Sequence, residues 1–115
     1  MSIKTERLGN IFVKEISEVI REDVDNQDIK NVTILSVKVS GDLSYAKVYF
    51  TTLLEDKKDE IEKELNNASS FIRGMLFDRV EIRKMPEFHF VYDTSIEYGK
   101  KIDDILDRIN NEKTN

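Results

Sequence analysis

The chain has 115 residues, 36% of them charged and 39% hydrophobic, with a formal net charge of −5. It has one His, one Pro, no Cys and no Trp. Without Cys there are no disulfides, thiolate metal sites or thiol nucleophiles, and a lone His excludes His-cluster metal sites. The size corresponds to one domain, residues 1–115, with a modest core. No run is apolar enough to span a bilayer, and Met1 to Lys4 begin no hydrophobic signal core, so the expected compartment is the cytosol.

The first element reads from Lys4 to about Val24. Leu8, Ile11, Phe12, Ile16, Val19 and Ile20 recur three and four apart, the period of an amphipathic helix. Turn formers from Asp23 to Asp28 break that period. Asn31–Ser40 is β-branched and alternates, with Leu35, Val37 and Val39 set against Ser36, Lys38 and Ser40. After Gly41 and Asp42 the alternation resumes, with Ala46, Val48 and Phe50 against Tyr45, Lys47 and Tyr49. Two strands across a short Gly-containing loop make a hairpin.

From Asp56 to about Val80 the period is helical again, with Ile61, Leu65, Ala68, Ile72 and Leu76 inward. Asn66–Ser70 is a run of poor helix formers, so the preferred reading is two helical pieces meeting at Ala68, Ser69 and Ser70. One continuous helix also fits the composition. Val80–Tyr92 reads as a third strand that begins near Pro86 or is an edge there, with Phe88, Phe90 and Tyr92 on one face and Glu87, His89 and Val91 on the other. A last helix opens at Asp93, with Thr94 and Glu97 spaced as a capping box and Tyr98, Ile102, Ile105, Leu106 and Ile109 as its stripe. The tail from Asn110 is polar. The predicted class is α+β, a three-stranded sheet packed against helices in the order α-β-β-α(kink)-β-α.

The side chains make no catalytic constellation. His89 alternates with Phe88 and Phe90 and reads as a solvated residue of the outer sheet face. Gly9, Gly41, Gly74 and Gly99 are scattered and form no phosphate loop. Asp103, Asp104 and Asp107 are spaced to hold a cation, but exposed helix carboxylates ordinarily hold water. Neither an enzyme nor a bound metal or cofactor is expected. Basic side chains are better organised. Arg7, Lys14 and Arg21 recur every seven residues on the first helix, with Lys4 nearby, although Glu15, Glu18 and Glu22 flank them. Arg73, Arg79, Arg83 and Lys84 gather between the second helical stretch and the third strand. Lys38 and Lys47 alternate with Tyr45 and Tyr49 on the outer sheet face. Cations bind phosphate with counterion release, and aromatic rings stack on unpaired bases. The plainer reading is that the tyrosines only cover the sheet.

Several segments, in this order, resemble the bacterial ribosome-binding factor A family over nearly the whole chain. They are the first helix with Arg7 and Ile11, the strand–turn–strand Val32–Tyr49, the stretch Ala68–Leu76, and Arg83–Glu97 with its Pro-x-Phe-x-Phe-x-x-Asp-x-Ser arrangement. The resemblance implies a KH-type fold of the second topology, in which a kink, typically Ala-x-Gly, replaces the usual Gly-x-x-Gly loop. Here Ala68, Ser69 and Ser70 stand at that kink, with Ser in place of the Gly. It further implies a cytoplasmic, non-catalytic maturation factor that binds free small ribosomal subunits, assists 5′-end processing of their rRNA and matters for growth in the cold. The expected RNA-binding residues are Arg73, Arg83 and Lys84, then Arg7, Lys14, Lys38 and Lys47. Expected partners are the small subunit and its rRNA, with other assembly factors and no membrane, and the chain is expected to act as a monomer. The expected polarity is one basic face, with acid collected on Asp56–Glu64 and the last helix. Competing readings are a dimer through Tyr45, Tyr49 and Val91, or RNA binding outside ribosome assembly.

Overall fold

The computed structural model describes residues 3–95 together with 105, 106, 108 and 109. The described elements are α1 (Ile3–Asp23), α2 (Gln27–Lys30), β1 (Val32–Val39), β2 (Tyr45–Thr52), α3 (Lys58–Asn67), α4 (Ser69–Leu76) and β3 (Glu87–Tyr92), with a 3-10 turn at Glu55–Lys57. The sheet order is β1-β2-β3. β1 and β2 are an antiparallel hairpin, whereas β3 lies parallel to β2. A parallel neighbour needs a crossover, and α3 and α4 supply it. The α+β class and the expected element order therefore hold through β3.

Strand alternation buries Ala46, Val48, Phe50, Phe88 and Phe90 on one sheet face. Phe12, Ile16 and Val19 of α1, Ile61 and Leu65 of α3, and Ile72 and Leu76 of α4 join them in one core. Phe12 meets Phe88 edge to face, ring centroids 5.0 Å apart, and Phe50 meets Tyr92 in the same way at 5.7 Å. Such pairs add about 0.5–1.5 kcal/mol each beyond the area they bury. α1 comes so close to β1 that a Cβ on Gly9 would sit under 3.0 Å from the Val37 carbonyl oxygen.

Three local readings change. Leu35 does not face the core: the β1–β2 register shifts between Ile34 and Ser36, so Ile34, Val37 and Val39 point inward and Leu35 stays exposed. One extra residue in a strand reverses every side chain beyond it. The region Asp23–Asp28, read as a turn, runs into α2, where the Asn26 side chain accepts from the amides of Asp28 and Ile29 and buried Ile29 closes the core. The third strand starts at Glu87, immediately after Pro86, and Val80–Pro86 is a loop anchored by buried Val80, Met85 and Pro86.

Asn66 explains why a poor helix former belongs in α3. Its side-chain oxygen accepts from the Phe90 amide at 2.8 Å, and its nitrogen donates to the Phe90 carbonyl at 2.9 Å. Glu62 accepts from the Tyr92 amide at 2.9 Å. The two side chains act as a short extra strand along the free edge of β3, where unpaired backbone groups would otherwise be buried.

The break between α3 and α4 falls at Ala68, as the composition suggests. Ala68 has φ −87° and ψ −1°, and among the described residues Leu43 alone of the non-glycines has positive φ. Ser70 thus needs no glycine-like conformation, and serine serves where the family pattern has glycine. Ser69 Oγ donates back to the Asn66 carbonyl at 2.7 Å, a local bond of the kind that bends helices.

Asp93 accepts the Ser95 amide at 2.8 Å, and the partner of the expected Thr94–Glu97 capping box lies outside the described residues. Glu97, Tyr98, Ile102, the aspartates 103, 104 and 107 and the tail from Asn110 lie outside the described residues. Ile105, Leu106 and Ile109 are helical and exposed, not packed on the core.

Candidate nucleic-acid interface

The hairpin register sets Lys38 opposite Lys47, and β3 sets His89 beside Lys47. One row of nitrogen-bearing side chains therefore crosses all three strands on the face turned away from the core. Tyr45 and Tyr49 flank it on β2. Lys38 Nζ lies 5.6 Å from the Tyr49 ring centre, and the Tyr45 and His89 rings are 6.5 Å apart at 36°. Lys38, Lys47, Tyr45 and His89 are exposed. The alternation read from the sequence placed the lysines, the tyrosines and His89 on this face, and the parallel pairing of β3 sets His89 beside Lys47.

Tyr45 also borders a cleft of about 270 Å³ that holds Ser69, Ser70 and Arg73 on one wall and Glu87 and Phe88 on the other. The kink and the sheet face are thereby continuous. Arg73 is not a free cation in it. Its Nε donates to the Pro86 carbonyl at 3.1 Å and an Nη to the Met85 carbonyl at 2.8 Å, and the guanidinium lies 5.3 Å from the Phe77 ring centre. A fork spent on two carbonyls is a clamp that fixes the start of β3. Its charge still contributes to the field of the cleft, and a phosphate contact there falls to the guanidinium N–H groups that the two carbonyls leave free.

Arg83, Lys84, Arg7 and Lys14 are exposed. Arg7 and Arg83 come together with Lys4 on the rim of a groove of about 600 Å³ between the start of α1, the β1–β2 turn and the loop before β3. Lys84 is close enough to the turn for its charge to act on Asp42. The Asp42 carboxyl is held well below the usual carboxylate range, first by the hydroxyls of Ser44 and Ser40, then by the Ser44 amide. Lys14 stands two helical turns, about 10 Å, beyond Arg7 and apart from this cluster.

Arg79 is turned elsewhere. It forms ion pairs with Glu18 at 3.0 Å and Glu22 at 2.8 Å, and is 3.6 Å from Glu15 and from Asp23. These acids lie on the second half of α1, so this end of the helix is closed to an anion while the Arg7 end is open to one. Acid is exposed also at Asp56, Asp59 and Glu60, within the expected acidic stretch, and at Glu55 just before it. Two exposed aromatics, Phe71 and Phe77 of the α4 region, were not singled out by the sequence reading. Their signal is their position off the Ile72–Leu76 stripe, where an apolar residue must face water. Among the described residues no group of His, Asp or Glu side chains is placed to hold a metal ion, and no helix is long and apolar enough to cross a membrane.

The family model of ribosome-binding factor A matches residues 4–106. The ribosome-binding factor A of Macrococcus caseolyticus is 40% identical over 98% of this chain and 100% of its own, and that of Legionella pneumophila is 37% identical over 93% and 87%. Among solved structures, a ribosome-binding factor A from Thermus thermophilus aligns with a TM-score of 0.69 at 22% identity, covering 76% of this chain and 94% of its own. A Thermotoga maritima protein described as a putative ribosome-binding factor A gives 0.69 at 27%, covering 84% and 93%. A further Thermus thermophilus coordinate set, fitted into a map of a 30S complex, gives 0.64 at 21%, covering 78% and 96%. The fold, its kinked crossover and the match over most of the length agree: the chain belongs to the ribosome-binding factor A family.

Proposed function

We propose that this protein binds the small ribosomal subunit through its rRNA and assists late maturation, including 5′-end processing, without catalysing a reaction. Family membership and the 30S complex of a Thermus relative support the partner. The observation that carries the RNA reading is the outer sheet face, where Lys38, Lys47 and His89 line up between Tyr45 and Tyr49 and run into the kink cleft. Ammonium groups on such a face neutralise phosphates, and the phenol rings offer stacking surfaces to unpaired bases. Arg83 and Lys84, then Arg7, Lys14, Lys38 and Lys47, are the phosphate contacts, with Ala68, Ser69 and Ser70 shaping the backbone beside them.

The mechanism is a shift of population. A monomer that prefers one rRNA arrangement favours it by its differential affinity, and other assembly factors complete the step. Work on a cytoplasmic precursor of this kind matters most in the cold, where RNA rearrangements are slow. The acid around Arg79 and on α3 limits unspecific adhesion to RNA and orients the approach. Binding to purified small subunits, measured by sedimentation at rising salt, is expected to fall log-linearly with salt. Arg83→Glu and the pair Lys38→Glu with Lys47→Glu are each expected to weaken it at least about tenfold. Binding indifferent to salt and to these reversals refutes the interface.

A further inference from the structure

The groove at the start of α1 has a character unlike the sheet face. Its floor is aliphatic, built from Ile3, Leu8, Ile11, Leu43 and Ile82, with no aromatic ring on which a base could stack. Its rim carries Lys4, Arg7 and Arg83 against the single acid Glu81. Ile3 and Ile11 remain exposed. A strongly hydrated polyanion gains nothing from such a floor, whereas a segment with aliphatic anchors and carboxylate flanks matches both the floor and the rim.

Leu43 adds an independent sign. It sits at φ 60°, the left-handed region, which is costly for leucine. Gly41, two residues before it, does not take positive φ. Asp42 locks the turn through Ser40 and Ser44, and the Leu43 amide donates to the Ser40 carbonyl at 3.0 Å. The turn therefore holds a leucine where a glycine would fit at lower cost, and that leucine lines the groove.

We propose that this groove is a docking site for an acidic amphipathic helix of a partner protein, seated on Leu43 and Ile82 and held by Lys4, Arg7 and Arg83. It goes beyond the RNA reading, and its main variant changes no charge, so failure of the two readings can be told apart. The test uses the full chain and a fluorescent 16-residue helical peptide with leucine at every third and fourth position and glutamate between, beside its lysine counterpart. The glutamate peptide is expected to bind at micromolar concentration and the lysine peptide at least about tenfold more weakly. Leu43→Gly is expected to weaken the glutamate peptide about tenfold with only a small change in melting temperature, because the relieved φ offsets the packing that Leu43 gives up against the core. The exposed pair Lys4→Glu with Arg7→Glu, which removes no buried group, is expected to reverse the preference between the peptides. Equal binding of both peptides, or concentration-dependent self-association abolished by Leu43→Gly, overturns the proposal; displacement by RNA does not, because Arg7 and Arg83 also serve the RNA reading.

Discussion

Gly9→Ala sets two known effects against each other, and the structure decides the winner. In an exposed helix, alanine in place of glycine stabilises by about 1 kcal/mol. Gly9 is buried in α1, and its new Cβ would sit under 3.0 Å from the Val37 carbonyl oxygen and 3.5 Å from the carbonyl carbon. Both atoms are backbone, held by the pairing of Val37 with Val48, so no flexible side chain can swing aside. α1 must retreat by on the order of 1 Å, and a gap of that size forfeits a quarter to a half of each dispersion contact it opens. Phe12, Ile16 and Val19, all fully buried, ride on the same helix. Overpacking typically costs about 1–3 kcal/mol, and a clash with backbone on both sides belongs to the upper part of that range, about 2–3 kcal/mol, which exceeds the propensity gain. We therefore expect a net loss of about 1–2 kcal/mol and a fall in Tm on the order of 5–15 °C. Gly74→Ala is the control. Gly74 is exposed in α4, and a Cβ there meets nothing within 4 Å, so the propensity term acts alone and Tm rises by a few degrees. Urea and thermal unfolding of the two variants beside the parent check the pair. A Gly9→Ala protein as stable as the parent, or a Gly74→Ala protein destabilised to the same degree, refutes the reasoning about the α1–β1 approach.

Asn66→Ala removes both partners of the Phe90 backbone at the edge of β3, and leaving such groups unpaired costs about 2–3 kcal/mol in urea unfolding. Asn66→Asp keeps the acceptor but sets an oxygen against the Phe90 carbonyl, so it is expected to be no better than alanine near neutral pH. At the β1–β2 turn, three donors hold Asp42 as a carboxylate, and its folded pKa is depressed below the ordinary value near 4. Its contribution is therefore present above about pH 4 and is lost as pH falls below it. The stability gap between the parent and Asp42→Asn, measured by denaturant midpoints, is expected at pH 6 and to close progressively in acid; a gap independent of pH contradicts the turn chemistry.

Periodicity was enough to place α1, the hairpin and the alternation of β3, while the α3–α4 break was signalled by the poor helix formers Asn66–Ser70. In each case one face meets the core, and the pattern of apolar residues repeats with the backbone. Leu35 escaped that logic because a bulge is one residue of strand geometry with no apolar signature of its own. The lysine–tyrosine face was legible for the same reason as the strands, since residues two apart share a side. The fates of the arginines were not. Arg73, Arg79 and Arg83 look alike in the chain, yet Arg73 clamps the carbonyls of Met85 and Pro86, Arg79 is surrounded by the acids of α1, and only Arg83 stays exposed at the groove. A long cation reaches whichever anion or carbonyl the fold brings near, and those partners lie 12 to 61 residues away. The sequence alone determined which faces are apolar and which are charged. Tertiary packing decided which charges remain available, because pairing depends on distance in space rather than on order along the chain.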